Sequence, residues 1–471
     1  MRLKWAIAGM VASSAAFAQL PFSRPKTASS DSAGFSSQPG QPATINFRGA
    51  VPRGEATPEV LNLSLKDAIQ MGLERNLGTL LTSTGERAAR ADRMIALARL
   101  LPQVHATVNE SSEQINIAAF GFQPSSGIPG VIGPFKVFDS RAYVSQTLFN
   151  LRQLYEKRAS ERRVQAAELD SKDARETVIE IVTALYWQAV TGASQVAATE
   201  AEVATAQASY DLAQDRRTAG LAPAIDALRA QVELQAEQNQ LIARRVGFEK
   251  QKLSLEEAIG LPSNQAVKLT DEFVFDPIKA PEESAVEQAY LNRKDYQSQQ
   301  ARLDAARLQM KGMDRVRVPT LSLDGDYGIL GRSPESSHGT YNVSLGLNIP
   351  IFAGHAEEGA MILAKTEVDR QQTLLDGLKS HIGFEIRAAI LDLQAASEQV
   401  RVGKSSVDLA TEQVTQARDR FQAGVTDTLE VVQAQQQLAA ANDNYIASLY
   451  AYTFAKVTLA RAMGVVGETN P

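Results

Sequence analysis

The chain has 471 residues, 44% apolar and 22% charged, with 48 Lys+Arg against 54 Asp+Glu and no Cys. Lack of Cys removes disulfides, thiolate catalysis, Cys-based metal sites and lipidation at an N-terminal Cys, and a net charge of −6 without a basic block argues against a nucleic-acid partner. The four His (His105, His338, His355, His381) are scattered, and the motifs HExxH, GxSxG, GxxxxGK(S/T) and GxGxxG do not occur, so the chain is not expected to be an enzyme or to carry a metal or cofactor.

Residues 1–18 read as a secretory signal. Arg2 and Lys4 precede an apolar run from Trp5 to Ala18 that ends in the cleavage-type triplet Ala16-Phe17-Ala18. The other reading, a short membrane anchor, needs ~20 apolar residues, more than the run supplies. Without this segment 46 basic groups face 54 acidic ones, a charge of −8. No later stretch has the length and apolarity of a membrane helix, so an exported chain of this kind crosses a membrane only with β-strands. Residues 19–58 form a Pro/Ser-rich leader without periodicity.

Beyond the leader the sequence repeats itself. The segment from Ala68 to Pro102 aligns with Ala285 to Pro319 at an offset of 217, and Asp215-Arg216 through Gly220 aligns with Asp419-Arg420 through Gly424 at an offset of 204. The expected organisation is a first repeat over 59–260, a connector over 261–283, a second repeat over 284–465 and a tail over 466–471. Each copy reads helix, two strands, long helix, tight turn, helix. Pro is absent from 135 to 222 and from 351 to 470, which permits very long helices. In the first copy strands are expected at about 103–119 and 137–149, with a turn-rich loop over 120–136 between them, and the long descending helix covers about 151–217. At 1.5 Å per residue it spans roughly 100 Å. The ascending helix 223–258 and the helix 284–315, placed end to end, reach the same length, with the connector and its Pro262, Pro277 and Pro281 between them.

In the second copy the strands are expected at about 320–330 and 340–352. Leu321, Leu323, Tyr327 and Ile329 share one face, and Tyr341, Val343, Leu345, Leu347, Ile349 and Ile351 alternate with Asn342, Ser344, Gly346 and Asn348. A period of two over about ten residues matches a transmembrane barrel strand; a half-buried sheet in water is the other reading. Tyr143, Tyr327, Tyr341, Phe149 and Phe352 are candidates for aromatic girdles. The helix over 355–421 places Ile386, Leu393, Val400, Val407, Val414 and Phe421 at sevenfold spacing, each of the first five followed three positions on by Ala389, Ala396, Gly403, Ala410 or Ala417. Val431, Leu438, Tyr445, Tyr452 and Leu459 repeat the scheme on the returning helix. Such spacing means left-handed coiled packing. Taken alone, these helices better suit an ordinary long coiled coil, a periplasmic scaffold without a pore.

Four strands do not close a barrel, and lipid does not tolerate an open sheet edge. Two chains give eight strands and a filled interior; three give twelve and a lumen. A homotrimer is therefore expected, with lipid around a shared 12-stranded barrel and a cylinder of long helices hung from it.

These features together resemble the TolC-like outer-membrane efflux proteins over about 62–465. The resemblance rests on Leu63-Ser64-Leu65-Lys66-Asp67-Ala68-Ile69, on Asn292-Arg293-Lys294-Asp295-Tyr296, on Leu101-Pro102-Gln103 and Val318-Pro319-Thr320-Leu321, and on Arg420-Phe421-x-x-Gly424. It implies a bacterial outer-membrane location with a large periplasmic part, and a passive exit channel of a tripartite efflux or type I secretion system. The implied partners are a periplasmic adaptor and an inner-membrane transporter. Two family features are missing: the acylated N-terminal Cys, and the Asp-Gly-Gly after the strands, replaced by Asn150-Leu151 and Ala353-Gly354. Ala219-Gly220-Leu221 and Ala423-Gly424-Val425 resemble the family's adaptor-docking tips, although a helix-ending Gly is in any case a C-cap. Asp226 and Glu430 stand at equivalent positions where three chains would line a pore mouth with an acidic ring; both also suit a helix N-terminus, and Asp427-x-x-Glu430 resembles a capping box. Asp215, Arg216, Asp419 and Arg420 are the gate candidates, with solvated charge at a helix end as the stronger alternative reading. His355 reads as a solvated residue.

Overall fold

A computed structural model of the chain describes residues 47, 49–54, 56–121, 129–278, 285–352 and 354–466. The expected signal peptide, most of the leader, Pro281, Ala353 and all of the tail but Val466 lie outside the described residues. The chain divides into two compact units: one formed by 100–149 and 319–348, the other by the remaining described segments.

The first unit is a four-stranded antiparallel meander in the order β2-β3-β5-β6: β2 (Gln103–Asn116), β3 (Val131–Phe149), β5 (Thr320–Gly331) and β6 (His338–Asn348). Its outer strands, β2 and β6, pair on one side only within the chain. Three strands differ from expectation, the first because β2 ends at Asn116, before a 3-10 turn over Ile117–Phe120, rather than at about 119. β3 begins at Val131 inside the expected loop, because Val131 and Ile132 pair with Asn116 and Ile115. Gly133 and Pro134, which read as turn residues, sit in a bulge that carries the register from Glu113 to Ile115; the Pro has no N–H to lose there. β6 spans His338–Asn348 rather than 340–352, ending where Thr320 pairs with Asn348.

The second unit is helical: α1 (Leu65–Arg75), α2 (Leu77–Ala98), α3 (Leu151–Thr218), α4 (Ala224–Ile259), α5 (Ala285–Asn292), α6 (Lys294–Asp314), α7 (Ala356–Gln422) and α8 (Thr428–Ala462), with a two-stranded parallel pair of β1 (Leu61–Leu63) and β4 (Val267–Leu269). α3 and α7 hold 68 and 67 residues, about 100 Å each. Asn150, standing where the resemblance leads one to expect Asp, caps α3 by accepting the Gln153 N–H at 3.1 Å.

The coiled seam is realised in the packing of α7 on α8. Ile386, Leu393, Val400, Val414 and Phe421 are buried, as are Ala389, Ala396, Gly403, Ala410 and Ala417; Val407 is half-buried. A Cβ on Gly403 would stand 3.3 Å from Tyr445 Cα, so the small residue is what allows the close approach. Further core forms around two buried tyrosines that reach into the segment between α4 and α5. Tyr186 donates to Leu63 O at 3.0 Å and to Asp271 Oδ2 at 2.6 Å; Tyr452 donates to Asp276 O at 2.6 Å and accepts the Ile278 N–H at 3.0 Å.

The expected single helix 284–315 is broken. Arg293 adopts an extended conformation (φ −63°, ψ 123°) between α5 and α6, and Asn76 does the same (φ −64°, ψ 136°) between α1 and α2. Both side chains are buried, and both reach the end of an ascending helix: Asn76 Nδ2 donates to Ala258 O at 3.2 Å, Arg293 Nη1 to Ala462 O at 3.3 Å. Tertiary hydrogen bonding at these points prevails over helix propensity, which has no strong breaker here to signal it.

Candidate functional site

Two regions bear on function: the tips of the long hairpins, and the two faces of the sheet. At each tip the descending helix ends in the same hydrogen-bonded turn. Leu221 N–H donates to Arg216 O at 2.8 Å and Gly220 N–H to Arg217 O at 3.0 Å; Val425 and Gly424 repeat this with Arg420 O and Phe421 O, both at 3.0 Å. This is a Schellman closure, which needs a left-handed residue after the cap. Gly220 and Gly424 supply it, each at φ 72°. Ala219 and Ala423 are the C-caps, and Leu221 and Val425 project into solvent, 72% and 69% exposed.

Arginines link the two hairpins at this end. Arg216 of α3 donates to the Phe421 carbonyl and lies over the Phe421 ring at 4.7 Å, a cation–π contact. Arg229 of α4 stands 3.6 Å from Asp427 at the start of α8. Arg420, in contrast, stays within its own hairpin, 3.5 Å from Glu430. Asp215 and Asp419 contribute main-chain carbonyls to the turns; their carboxylates have no ion-pair partner among the described residues.

Asp226 and Glu430 occupy different environments. Asp226 is buried and lies 3.7 Å from Arg229. Glu430 is partly exposed and takes the Thr426 hydroxyl as well as Arg420. The Asp427–Glu430 spacing does not make a capping box: Asp427 accepts the Leu429 N–H at 3.1 Å, while Glu430 is drawn to Thr426 and Arg420 instead of the cap N–H. A shallow groove runs beside these residues along Ile225, Leu228, Val232, Leu429 and Val432.

On the sheet, register sorts the side chains into two faces. Val104 pairs with Val144, Ala142 with Tyr327, Tyr327 with Tyr341, Gly325 with Val343, and Leu323 with Leu345. Val104, Val108, Tyr327, Tyr341, Val343, Leu345 and Leu347 are between 62% and 77% exposed. A continuous exposed apolar face of this kind is uncommon on a water-soluble monomer and is what a lipid-facing surface requires. Toward one end it gives way to the exposed Lys136–Glu110 pair at 3.2 Å. The other face carries His105, Asn109, Asp139, Arg141, Asp324, Asp326, Asn342 and Thr340. Tyr143, a girdle candidate, lies on this polar face, stacked on His105 at 4.9 Å, because its odd register position in β3 opposes that of Ala142 and Val144. Tyr327 and Tyr341 remain on the apolar face.

Sequence reasoning missed a buried charge network in the helical unit. Arg461 of α8 contacts Asp173 at 2.6 Å, Glu176 at 3.2 Å and Glu180 at 3.8 Å on α3. Burial lifts Glu176 to about 6 against the pull of Arg461. Arg293 binds Asp295 at 2.8 Å and Glu385 at 2.5 Å. Burial would lift Asp295, yet the hydrogen bond and charge of Arg293 hold it below its ordinary value. The i,i+3 and i,i+4 spacing of Asp173, Glu176 and Glu180 on one helical face was the available signal; its partner 280 or more residues away was not. His355 pairs with Glu358 at 2.8 Å on the surface, and among the described residues no group of three or more His, Asp or Glu side chains is placed to hold a metal.

An exposed apolar sheet with a polar reverse, joined in one chain to paired helices of about 100 Å, defines a class of membrane channel subunit built from strands and helical hairpins. The family model described as "Outer membrane efflux protein" matches residues 82–261 and 285–465, and the chain belongs to that family. It is an outer-membrane exit channel. Among curated relatives it is 23% identical to the toluene efflux pump outer membrane protein TtgC of Pseudomonas putida, over 85% of this chain and 83% of that one. It is also 23% identical to the alkaline protease secretion protein AprF of Pseudomonas aeruginosa, over 63% of each chain, so it spans less than two thirds of that relative's length. Its fold is shared with the Campylobacter jejuni CmeC outer membrane channel (TM-score 0.76, 19% identity, 89% of this chain and 92% of that one). The open state of the Neisseria gonorrhoeae MtrE outer membrane channel shares it too (TM-score 0.73, 16% identity, 89% and 98%). Among the described residues no helix is long and apolar enough to cross a membrane.

Proposed function

We propose that this chain is one third of a passive conduit: three copies, each a duplicated unit, pool four strands apiece into a 12-stranded outer-membrane barrel and set their hairpins together as a periplasmic tunnel. One observation carries this reading, the four-stranded sheet with an exposed apolar face and two outer strands unpaired on one side. The apolar face suits lipid, but the open edges do not, because every backbone group must be paired there.

The conduit serves a tripartite efflux or type I secretion system, with energy supplied by an inner-membrane transporter and a periplasmic adaptor between them. Relatives named for toluene efflux and for alkaline protease secretion support the two modes alike. The tips Ala219-Gly220-Leu221 and Ala423-Gly424-Val425 dock the adaptor, a role favoured by the exposed Leu221 and Val425 and by the apolar groove beside them. Arg216 and Arg420, with Asp215 and Asp419 beside them, form the gate region, and Asp226 with Glu430 supplies the acidic pore mouth; Arg216 bridging the hairpins at Phe421 supports the first of these roles. The domain plan of signal peptide, leader, first repeat, connector, second repeat and tail belongs to the same proposal.

The test is reconstitution of the full chain from detergent into planar bilayers, with migration of unheated and heated samples compared on denaturing gels. A heat-sensitive trimer that conducts ions is expected. Monodisperse single chains that need no detergent and pass no current would end the proposal.

A further inference from the structure

The polar face of the sheet holds a cross-strand charge cluster that neither hairpin tip accounts for. Arg141 of β3 sits in a row with Thr107 of β2, Gly328 of β5 and Thr340 of β6. Its guanidinium donates to Asp326 of β5, to Asp139 of its own strand at 3.3 Å and to Thr340 at 2.9 Å, so one side chain ties three strands. Gly328 makes this reach possible. A Cβ there would fall 2.4 Å from Ser140 O and 2.7 Å from Arg141 Cα, and with none present the guanidinium crosses β5 to Thr340. Only 14% of the Arg141 side chain is exposed, which leaves it fixed against the sheet rather than free to sweep the bore.

The same stretch carries Asp139, Asp324 and Asp326. Asp324 shares this face with Asp326, two residues away; it is exposed, and its carboxylate accepts the Ser322 hydroxyl at 3.1 Å. Each chain therefore contributes three carboxylates and one guanidinium here, a net charge of −2. Fixed charge in a water-filled bore with low-dielectric walls acts on every passing ion.

We propose that Arg141 is a specificity-determining residue, which sets how strongly the barrel lumen favours cationic over anionic solutes by cancelling one of three acidic charges per chain and locking Asp139 and Asp326 in place. This rests on the barrel reading above. Three copies of this cluster carry a charge of −6, and without Arg141 that becomes −9.

The experiment is the reversal potential of the full-length channel in planar bilayers under a KCl gradient, comparing wild type, Arg141→Gln and Asp324→Asn. Arg141→Gln is expected to raise the potassium-to-chloride permeability ratio about two-fold and Asp324→Asn to lower it by a similar factor. Both effects fade in 1 M salt, where screening acts within ~3 Å. If Arg141→Gln fails to assemble, Asp324→Asn decides alone, since its exposed carboxylate holds no other strand. Conducting variants with unchanged ratios overturn the inference, as does a ratio that moves only when Asp226 and Glu430 are neutralised. Wild-type protein that never conducts gives no reversal potential to read; that result removes the barrel reading and this inference with it.

Discussion

Asn76 and Arg293 stand 217 positions apart and solve one backbone problem in two chemistries. Each breaks a helix with nearly the same dihedral angles. Each main-chain N–H bonds four residues back, Asn76 to Gly72 O and Arg293 to Ala289 O, both at 2.9 Å. The Asn76 amide is both donor and acceptor. It therefore reaches Phe47 O at 2.6 Å and Ala258 O at 3.2 Å while also capping α2 through the Gly78 N–H at 2.8 Å. Guanidinium has only donors, so the second joint imports its acceptors: Asp295, inside the first turn of α6, which also accepts the Tyr296 N–H at 2.8 Å, and Glu385 from α7. One joint is neutral and uses main-chain partners alone. The other is a buried ion cluster that depends on residues from three segments.

The sharpest way to break this comparison is to remove each side chain in turn. Arg293→Ala leaves Asp295 and Glu385 without their buried partner, and a loss of about 3–5 kcal/mol is expected in denaturant unfolding of the helical unit. Adding Glu385→Gln to that variant should recover part of the loss. Asn76→Ala abandons a cap and two buried acceptors but strands no charge, so a smaller loss of about 2 kcal/mol is expected. Equal losses at the two joints would show that charge plays no part in the difference.

Titration sharpens it further. Burial lifts Glu256, in the last turn of α4 before the first joint, to about 7, and lifts Glu176 beside the second to about 6. Both folded values exceed those of the unfolded chain. The folded state therefore binds the extra proton, and stability is gained as pH falls from about 7.5 toward 5 and lost as it rises again. Asp295 has the opposite sign: its contribution is present above the ordinary carboxylate range and disappears only as pH falls below about 4. The expected signature is a higher melting temperature at pH 5.5 than at 7.5, worth about 1–2 kcal/mol for Glu256, with Glu256→Gln flattening its share of the slope. A melting temperature that rises from pH 5.5 to 7.5 would contradict the buried placement of these groups. The smallest effect lies at the tips. Arg216→Ala forfeits a carbonyl bond and a ring contact, about 1 kcal/mol or less of stability, and should appear instead as a higher resting conductance if Arg216 helps hold the entrance shut.

How far the sequence reached depends on whether a feature is local. Sevenfold spacing in α7 and α8 exposed the seam directly, because a helical period is written in neighbouring residues. Alternation in β6 likewise revealed its apolar face. The tips were legible through Gly220 and Gly424, since a positive φ selects glycine. The early start of β3 was not, since Gly133 and Pro134 look like turn residues until pairing with β2 places them in a bulge. The face of Tyr143 was not legible, because its strand is weakly patterned and only register with His105 and Ala142 assigns it. The unequal settings of Asp226 and Glu430 also escaped notice, one buried against Arg229 and the other held by Arg420 and Thr426.

Sequence alone therefore determined the kinds of element, the length of the two long helices, the seam between paired helices and the apolar faces of β5 and β6, all consequences of periodicity and of where proline is missing. Tertiary structure decided the rest: the breaks at Asn76 and Arg293, the Arg461 and Arg141 clusters, and the clasp of Arg216 on Phe421. Each of these joins groups scores to hundreds of residues apart in the chain, and the energy that fixes them comes from burying polar atoms together, which no local pattern of residues records.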